Sequence, residues 1–211
     1  MIRIVLADDH TIVREGIRQL LAAQDDLQVV AEARDGHEVM RHVRELAFDV
    51  LLLDMSMPGK SGIELIKQVK AEKPKLRVLV LTMHEEHQYA VRAIRAGASG
   101  YLTKEGASAQ LVSAIRKVAG GGAHISAEVA EQLALAAMPD SRGPPHTALS
   151  DREFQVFRMI AAGKPVSEIA ESLNLSVKTV STHKANILHK MNMSTPAELV
   201  RYAITNRLIE E

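Results

Sequence analysis

The chain has 211 residues, 26 Lys+Arg balanced by 26 Asp+Glu, and no Cys. That length suits one large or two small domains, and the lack of Cys excludes disulfides, thiolate metal sites and a Cys nucleophile. The balanced charge gives no whole-chain argument for a polyanionic partner. No apolar stretch approaches the ~18 residues of a membrane span, and residues 1–7 are too short for a secretory signal, so a cytoplasmic chain without a membrane partner is expected.

The elements of the first half follow from hydrophobic period. Residues 2–7 are an apolar strand ending in Asp8-Asp9-His10, and residues 11–23 carry helical spacing (Ile12, Ile17, Leu20, Leu21). A strand over 27–33 leads through Asp35-Gly36 into a helix ending near Leu46. The run Val50-Leu51-Leu52-Leu53 reads as a strand buried on both faces, closed by Asp54 and the turn residues Pro58 and Gly59. A helix over 62–72, a strand over 77–82, a helix over 88–96, a short strand over 100–102 and a helix over 107–119 follow, with Gly120-Gly121-Gly122 as the stop. Five strands alternating with five helices indicate a parallel sheet covered on both faces, an α/β architecture.

The polar residues then fall into a pattern. Asp8 and Asp9 follow strand one, Asp54 ends strand three, Thr82 ends strand four, and Lys104 lies just past strand five. All fall at carboxyl ends of parallel strands, the edge where open α/β sheets bind ligands. Clustered carboxylates raise one another's pKa unless a cation neutralises them, and hard oxygen donors in this number suit Mg²⁺. Thr82 can donate to a phosphoryl oxygen and Lys104 can neutralise one. Each residue also has a plain structural alternative: an Asp capping the next helix, an ordinary strand Thr, a solvated loop Lys. Five such coincidences at strand ends favour the shared pocket.

These residues, with the DMSMPGKSG segment from Asp54 and the GYLTK segment Gly100 to Lys104, resemble a two-component response regulator receiver over roughly residues 1–120. The resemblance implies a flavodoxin-like fold with strand order 2-1-3-4-5. It implies Asp54 as the acceptor of a phosphoryl group from a sensor histidine kinase. It implies Mg²⁺ held by Asp9, Asp54 and the Ser56 backbone carbonyl with Asp8 assisting through water, Thr82 and Lys104 on the phosphoryl oxygens, and Tyr101 as the switch residue.

Residues 121–147 read as a linker with a short helix over 127–137, then a Pro-rich stretch over 138–147. Beyond it, Ser150 to Glu153 form a capping box ahead of Phe154, Val156, Phe157 and Ile160, and Gly163 ends that helix. Helices over 166–173 and 177–191 are joined by a tight turn. A second capping box, Thr195-Pro196-Ala197-Glu198, opens a last helix ending near Asn206. Four short helices with this central turn suggest helix-turn-helix.

Residues 121–211 hold nine Lys/Arg and ten Asp/Glu, net −1, so the domain total does not point to DNA. The distribution allows it: residues 176–190 carry Lys178, Lys184 and Lys190, His183 and His189, and no acid. An ordinary solvated Lys face would look the same. The segments LSDREFQVF, EIAESLNLS and KTVSTHKANIL, however, resemble the LuxR-type four-helix DNA-binding domain over 148–211, and the chain resembles NarL/FixJ response regulators end to end. The resemblance implies a recognition helix over 177–191 with Val180, Ile187 and Leu188 inward and Lys178, Thr179, Ser181, Thr182, Lys184 and Lys190 toward double-stranded promoter DNA. It implies a dimerisation face on the last helix and a homodimer on activation. Two departures from the family pattern are Pro165, which puts the start of the second helix in doubt, and Pro196, which removes a basic residue.

The function expected is a phosphorylation-dependent transcriptional regulator rather than an enzyme. A Mg²⁺-dependent phosphatase with an Asp54 nucleophile is the rival, but it needs a second acid soon after the nucleophile; Ser56 stands nearby and no acid comes before Glu64. A receiver joined to a protein-binding module is the other.

Overall fold

Strands β1 (Ile2–Ala7), β2 (Leu27–Ala33), β3 (Val50–Asp54), β4 (Arg77–Thr82) and β5 (Gly100–Thr103) form one parallel sheet in the order β2-β1-β3-β4-β5. This computed structural model describes residues 1–57, 62–82, 87–136, 144–206 and 208–209. The expected Pro58-Gly59 turn and residues 137–143 of the expected short helix and linker lie outside the described residues. The chain divides into two units, Met1–Leu133 and Ala134–Glu211.

Successive strand residues point to opposite faces, and both faces of this sheet are covered. Val5, Ala7, Leu51, Leu53, Val78 and Val80 pack with α2 (Gly36–Glu45), α3 (Gly62–Glu72) and α4 (His87–Arg95). Ile4, Leu6, Val50, Leu52, Leu79 and Leu81 pack with α1 (Thr11–Ala22) and α5 (Lys104–Ala119). That two-sided burial explains why β3 reads as an unbroken apolar run.

The register levels the carboxyl edge. Ala7 pairs with Leu53, Asp54 with Leu81, and Thr82 with Thr103. The residues that follow each strand therefore emerge side by side. Two boundaries differ from the sequence reading. Strand β5 includes Thr103, and α5 starts at Lys104 rather than at 107, because Gly106, a weak helix former, falls in the first turn, where helix N–H groups have no intrahelical partner anyway. Helix α6 (Ala127–Ala136) lays Val129 against Ala90 and Val91 of α4, with Tyr101 beside them.

In the second unit a 3-10 helix (Pro145–Ala148) precedes α7 (Asp151–Ala161), α8 (Val166–Ser172), α9 (Val177–Lys190) and α10 (Pro196–Thr205). The first three residues of that 3-10 helix, 145–147, belong to what composition gave to the linker. Here His146 is buried, 2.8 Å from the Tyr202 hydroxyl through Nδ1, and its ring lies against Phe154. The capping box forms as expected: the Glu153 N–H donates to Ser150 Oγ and the Ser150 N–H to the Glu153 carboxylate. Pro165 does start α8 cleanly, as an N-cap in extended conformation without a side-chain bond. Asn174 takes the left-handed conformation (φ 51°) in the turn between α8 and α9. At α10 the Glu198 N–H donates to Thr195, while the Glu198 carboxylate accepts from Ser194, one residue earlier than a capping box requires.

Candidate functional site

The carboxyl edge of the sheet brings together the residues predicted for it. Asp8 and Asp54 are fully buried, and the Lys104 ammonium bridges them at 2.7 Å to Asp8 Oδ2 and 2.8 Å to Asp54 Oδ2. Burial alone would lower the Lys104 pKa. Hydrogen bonds to Asp54 and Asp8 outweigh it and hold the ammonium above its ordinary value, so a fixed positive charge faces Asp54. Ser56 turns back on Asp54: its N–H donates to Oδ1 at 3.0 Å, and its hydroxyl lies 2.8 Å from both carboxylate oxygens. The resemblance pointed to the Ser56 carbonyl alone, so the hydroxyl is a finding of the structure.

Thr82 is buried at the end of β4 and shares a hydrogen bond with the Tyr101 phenol. Burial pushes that phenol up to about 12, so Tyr101 stays neutral. Its ring spans two regions: the hydroxyl reaches the Thr82 end of the pocket, and the ring lies against Val129 of α6 and the α4 residues Ala90 and Val91.

Two residues escaped the sequence reading. Arg14 is buried on α1, donating to the Asp8 carbonyl at 2.7 Å and to Glu32 at 2.8 Å. It clamps the backbone that presents Asp8 and Asp9. Its spacing of three and seven from Ile17 and Leu21 on the buried face of the helix was the available signal. The second is His10, whose Nδ1 lies 3.0 Å from Asp9 Oδ1 and 3.4 Å from Asp8 Oδ1.

Asp9 Oδ1 is buried and shares no hydrogen bond. A buried carboxylate oxygen in that state is costly unless a cation or water meets it. Asp8, Asp9, His10 and Asp54 can each offer a ligand atom, all within 4.8 Å of one another. The oxygen-rich donor set therefore fits a hard divalent ion.

On α9, Lys178, Thr179, Ser181 and Thr182 are exposed, Lys184 is half-buried, and Val180 and Ile187 are buried. Leu188 is half-buried rather than fully inward. The Thr179 hydroxyl joins Ser176 in the helix cap at 2.8 Å, and Thr182 Oγ1 donates back to the Lys178 carbonyl at 3.0 Å. Lys190 is exposed as well, and its ammonium lies 2.7 Å from the buried Glu153 carboxylate. Among the described residues, no helix is long and apolar enough to cross a membrane.

Comparison with known proteins completes the picture. Residues 4–116 match the response regulator receiver domain, and residues 147–203 match the luxR family of bacterial regulatory proteins. The response regulator UvrY of Escherichia coli K12 is 39% identical over 209 residues, covering 99% of this chain and 96% of that one. The response regulator GacA of Pseudomonas syringae pv. syringae is 39% identical over 211 residues, covering 100% and 99%. Among solved structures, the RcsB response regulator of Salmonella typhimurium matches with a TM-score of 0.73 at 31% identity over 97% of both chains. RcsB of Salmonella enterica serovar Typhimurium, bound to promoter rprA with the phosphomimetic BeF₃⁻, matches with a TM-score of 0.68 at 31% identity, covering 96% of this chain and 98% of that one.

Proposed function

The chain belongs to the NarL/FixJ-type response regulators, with a receiver and a LuxR-type DNA-binding domain, and on that premise we propose that phosphorylation of Asp54 controls its binding to promoter DNA as a dimer. The supporting observation is the Lys104 ammonium held within 2.8 Å of both Asp8 and Asp54 at the carboxyl edge of the sheet. A carboxylate attacks an anionic phosphoryl group only when the approaching charges are offset, and this cation is placed to offset them.

In the proposed transfer, an Asp54 carboxylate oxygen forms the O–P bond while the P–N bond of the kinase phosphohistidine breaks. The imidazole, protonated on its other nitrogen, leaves neutral. Lys104 stays against the phosphoryl oxygens, Thr82 donates to one of them, and Ser56 releases the oxygen it holds. Asp9, Asp54 and the Ser56 carbonyl would hold Mg²⁺, with Asp8 assisting through water; when bound, it supplies further neutralisation of phosphoryl charge. Thr82 moving toward the new phosphate breaks its bond to Tyr101, and Tyr101 carries that change to α4 and α6.

In the second domain (148–211), Lys178 and Lys184 take phosphates while Ser181 and Thr182 approach base edges in the major groove. The connection from the receiver (1–120) falls within residues 121–147, of which Val129 packs against α4 and His146 against Tyr202. Ile204, half exposed on α10 away from buried Leu199 and Ala203, suits a dimer face.

The test is intact-mass measurement after incubation with Mg²⁺ and acetyl phosphate, beside Asp54→Asn. One added phosphoryl group on the parent alone is expected, together with tighter promoter binding. Addition to the variant would overturn the assignment of Asp54.

A further inference from the structure

His10 occupies a position its side chain does not serve locally. It is the N-cap of α1, where Ser, Thr, Asp and Asn are preferred because their oxygens accept helix N–H groups, yet its ring makes no capping bond. The imidazole turns instead to the carboxylates. Nδ1 lies 3.0 Å from Asp9 Oδ1, 3.4 Å from Asp8 Oδ1 and 3.9 Å from Asp54 Oδ2. Asp9 Oδ1 is buried and shares no hydrogen bond, even with that nitrogen 3.0 Å away. A third partner seated between them would meet the unsatisfied Asp9 oxygen.

The separations identify the kind of partner. A six-coordinate ion with metal–ligand bonds of about 2.1 Å sets neighbouring donors about 3.0 Å apart and opposite donors about 4.2 Å apart. The His10 distances to the two proposed carboxylate ligands, 3.0 Å to Asp9 and 3.9 Å to Asp54, fall in that range. Mg²⁺ takes oxygen ligands and keeps its waters, so it draws little from an imidazole. Imidazole nitrogen suits the later divalent transition ions, whose affinity for mixed N/O sites rises from Mn²⁺ toward Ni²⁺.

We propose that His10 is a ligand of the receiver ion and gives the Asp8-Asp9-Asp54 pocket a preference for divalent transition ions over Mg²⁺. This rests on the reading of that pocket as the ion site of the receiver. The His10 side chain is 58% exposed, so replacing it opens no core cavity and removes no cap bond.

The test uses the full-length protein. Mn²⁺, Ni²⁺ and Mg²⁺ affinities are measured by calorimetry for the parent, His10→Ala, His10→Asn and Asp9→Asn. Pulsed electron paramagnetic resonance on Mn²⁺-loaded samples reports directly bound nitrogen. In the parent, a ¹⁴N coupling is expected that both His10 variants lose. Those variants should bind Ni²⁺ about tenfold more weakly and Mg²⁺ within about threefold of the parent. A coupling retained in His10→Ala, or equal loss of Mg²⁺ and Ni²⁺ affinity, overturns the role of His10. If Asp9→Asn weakens ion binding while the His10 variants match the parent, the ion pocket stands and only the His10 inference falls. If Asp9→Asn binds every ion as the parent does, the pocket reading itself falls, and the proposal with it.

Discussion

Glu153 shows how one carboxylate can join two parts of the second unit. It closes the α7 cap through Ser150 and receives the Lys190 ammonium from the far end of α9. Burial pushes its pKa up, but the Lys190 hydrogen bond and the Ser150 donors outweigh that and hold it below its ordinary 4.5. A carboxyl lowered on folding adds stability that is present above its unfolded pKa and fades as pH falls through its folded pKa. Glu153→Gln, which keeps shape but loses charge, is therefore expected to lose about 1–2 kcal/mol at pH 7. The gap from the parent should close below pH 4.5 as Glu153 itself protonates. Urea unfolding of both proteins at a series of pH values checks this; a gap constant with pH would show that the charge contributes nothing. The capping box was legible because both its partners lie within four residues. The Lys190 pair was not, since it spans 37 residues and a local pattern carries no information about such a contact. The same limit hid the Arg14–Glu32 pair, 18 residues apart; His10 adjoins Asp8 and Asp9 in sequence, but the direction of its ring is set only by how β1 and α1 meet.

At the scale of the element, strand β5 depends on a missing side chain. A Cβ on Gly100 would come within 2.8 Å of Leu79 Cδ1 and 2.9 Å of the His124 carbonyl. The carbonyl belongs to backbone that also accepts from the Tyr101 N–H at 2.9 Å, so it cannot simply move aside. Gly100→Ala is expected to cost about 2 kcal/mol, measured as a lower urea midpoint, and to disturb Tyr101, read from its tyrosine fluorescence or NMR resonances. The strands themselves were legible: two-sided burial makes them apolar runs, and four-residue β5 was found from GYL. The start of α5 was read late because Gly106 weakens the helical signal, whereas the packing of Leu111, Ala114, Ile115 and Val118 on the sheet overrides that weakness. The 3-10 helix at Pro145 was invisible for the opposite reason. Proline-rich composition reads as linker, and only the burial of His146 against Tyr202 and Phe154 makes it part of a folded unit.

For the molecule as a whole, charge balance and DNA binding have to be reconciled. With 26 basic and 26 acidic residues, the chain has no net field to draw it to a polyanion, and on the proposed reading attraction comes from the local face of α9. Affinity for duplex DNA falls with salt in proportion to the number of phosphates neutralised, by about 0.9 in log–log slope for each. Lys178 is exposed on that face, and Lys178→Met is expected to reduce the slope by about 1 while leaving stability within about 0.5 kcal/mol of the parent. Lys190 carries the same charge on the same helix but lies 2.7 Å from Glu153. Lys190→Met should therefore leave the salt slope unchanged and lower stability, because it strips the partner from a buried carboxylate. Titrating a promoter fragment at several salt concentrations with the phosphorylated full-length parent and both variants, beside urea unfolding of each, separates the two lysines. If Lys190→Met lowered the slope as Lys178→Met does, the ion pair would be yielding to phosphate on binding, and the role of Lys190 would pass from the fold to the DNA.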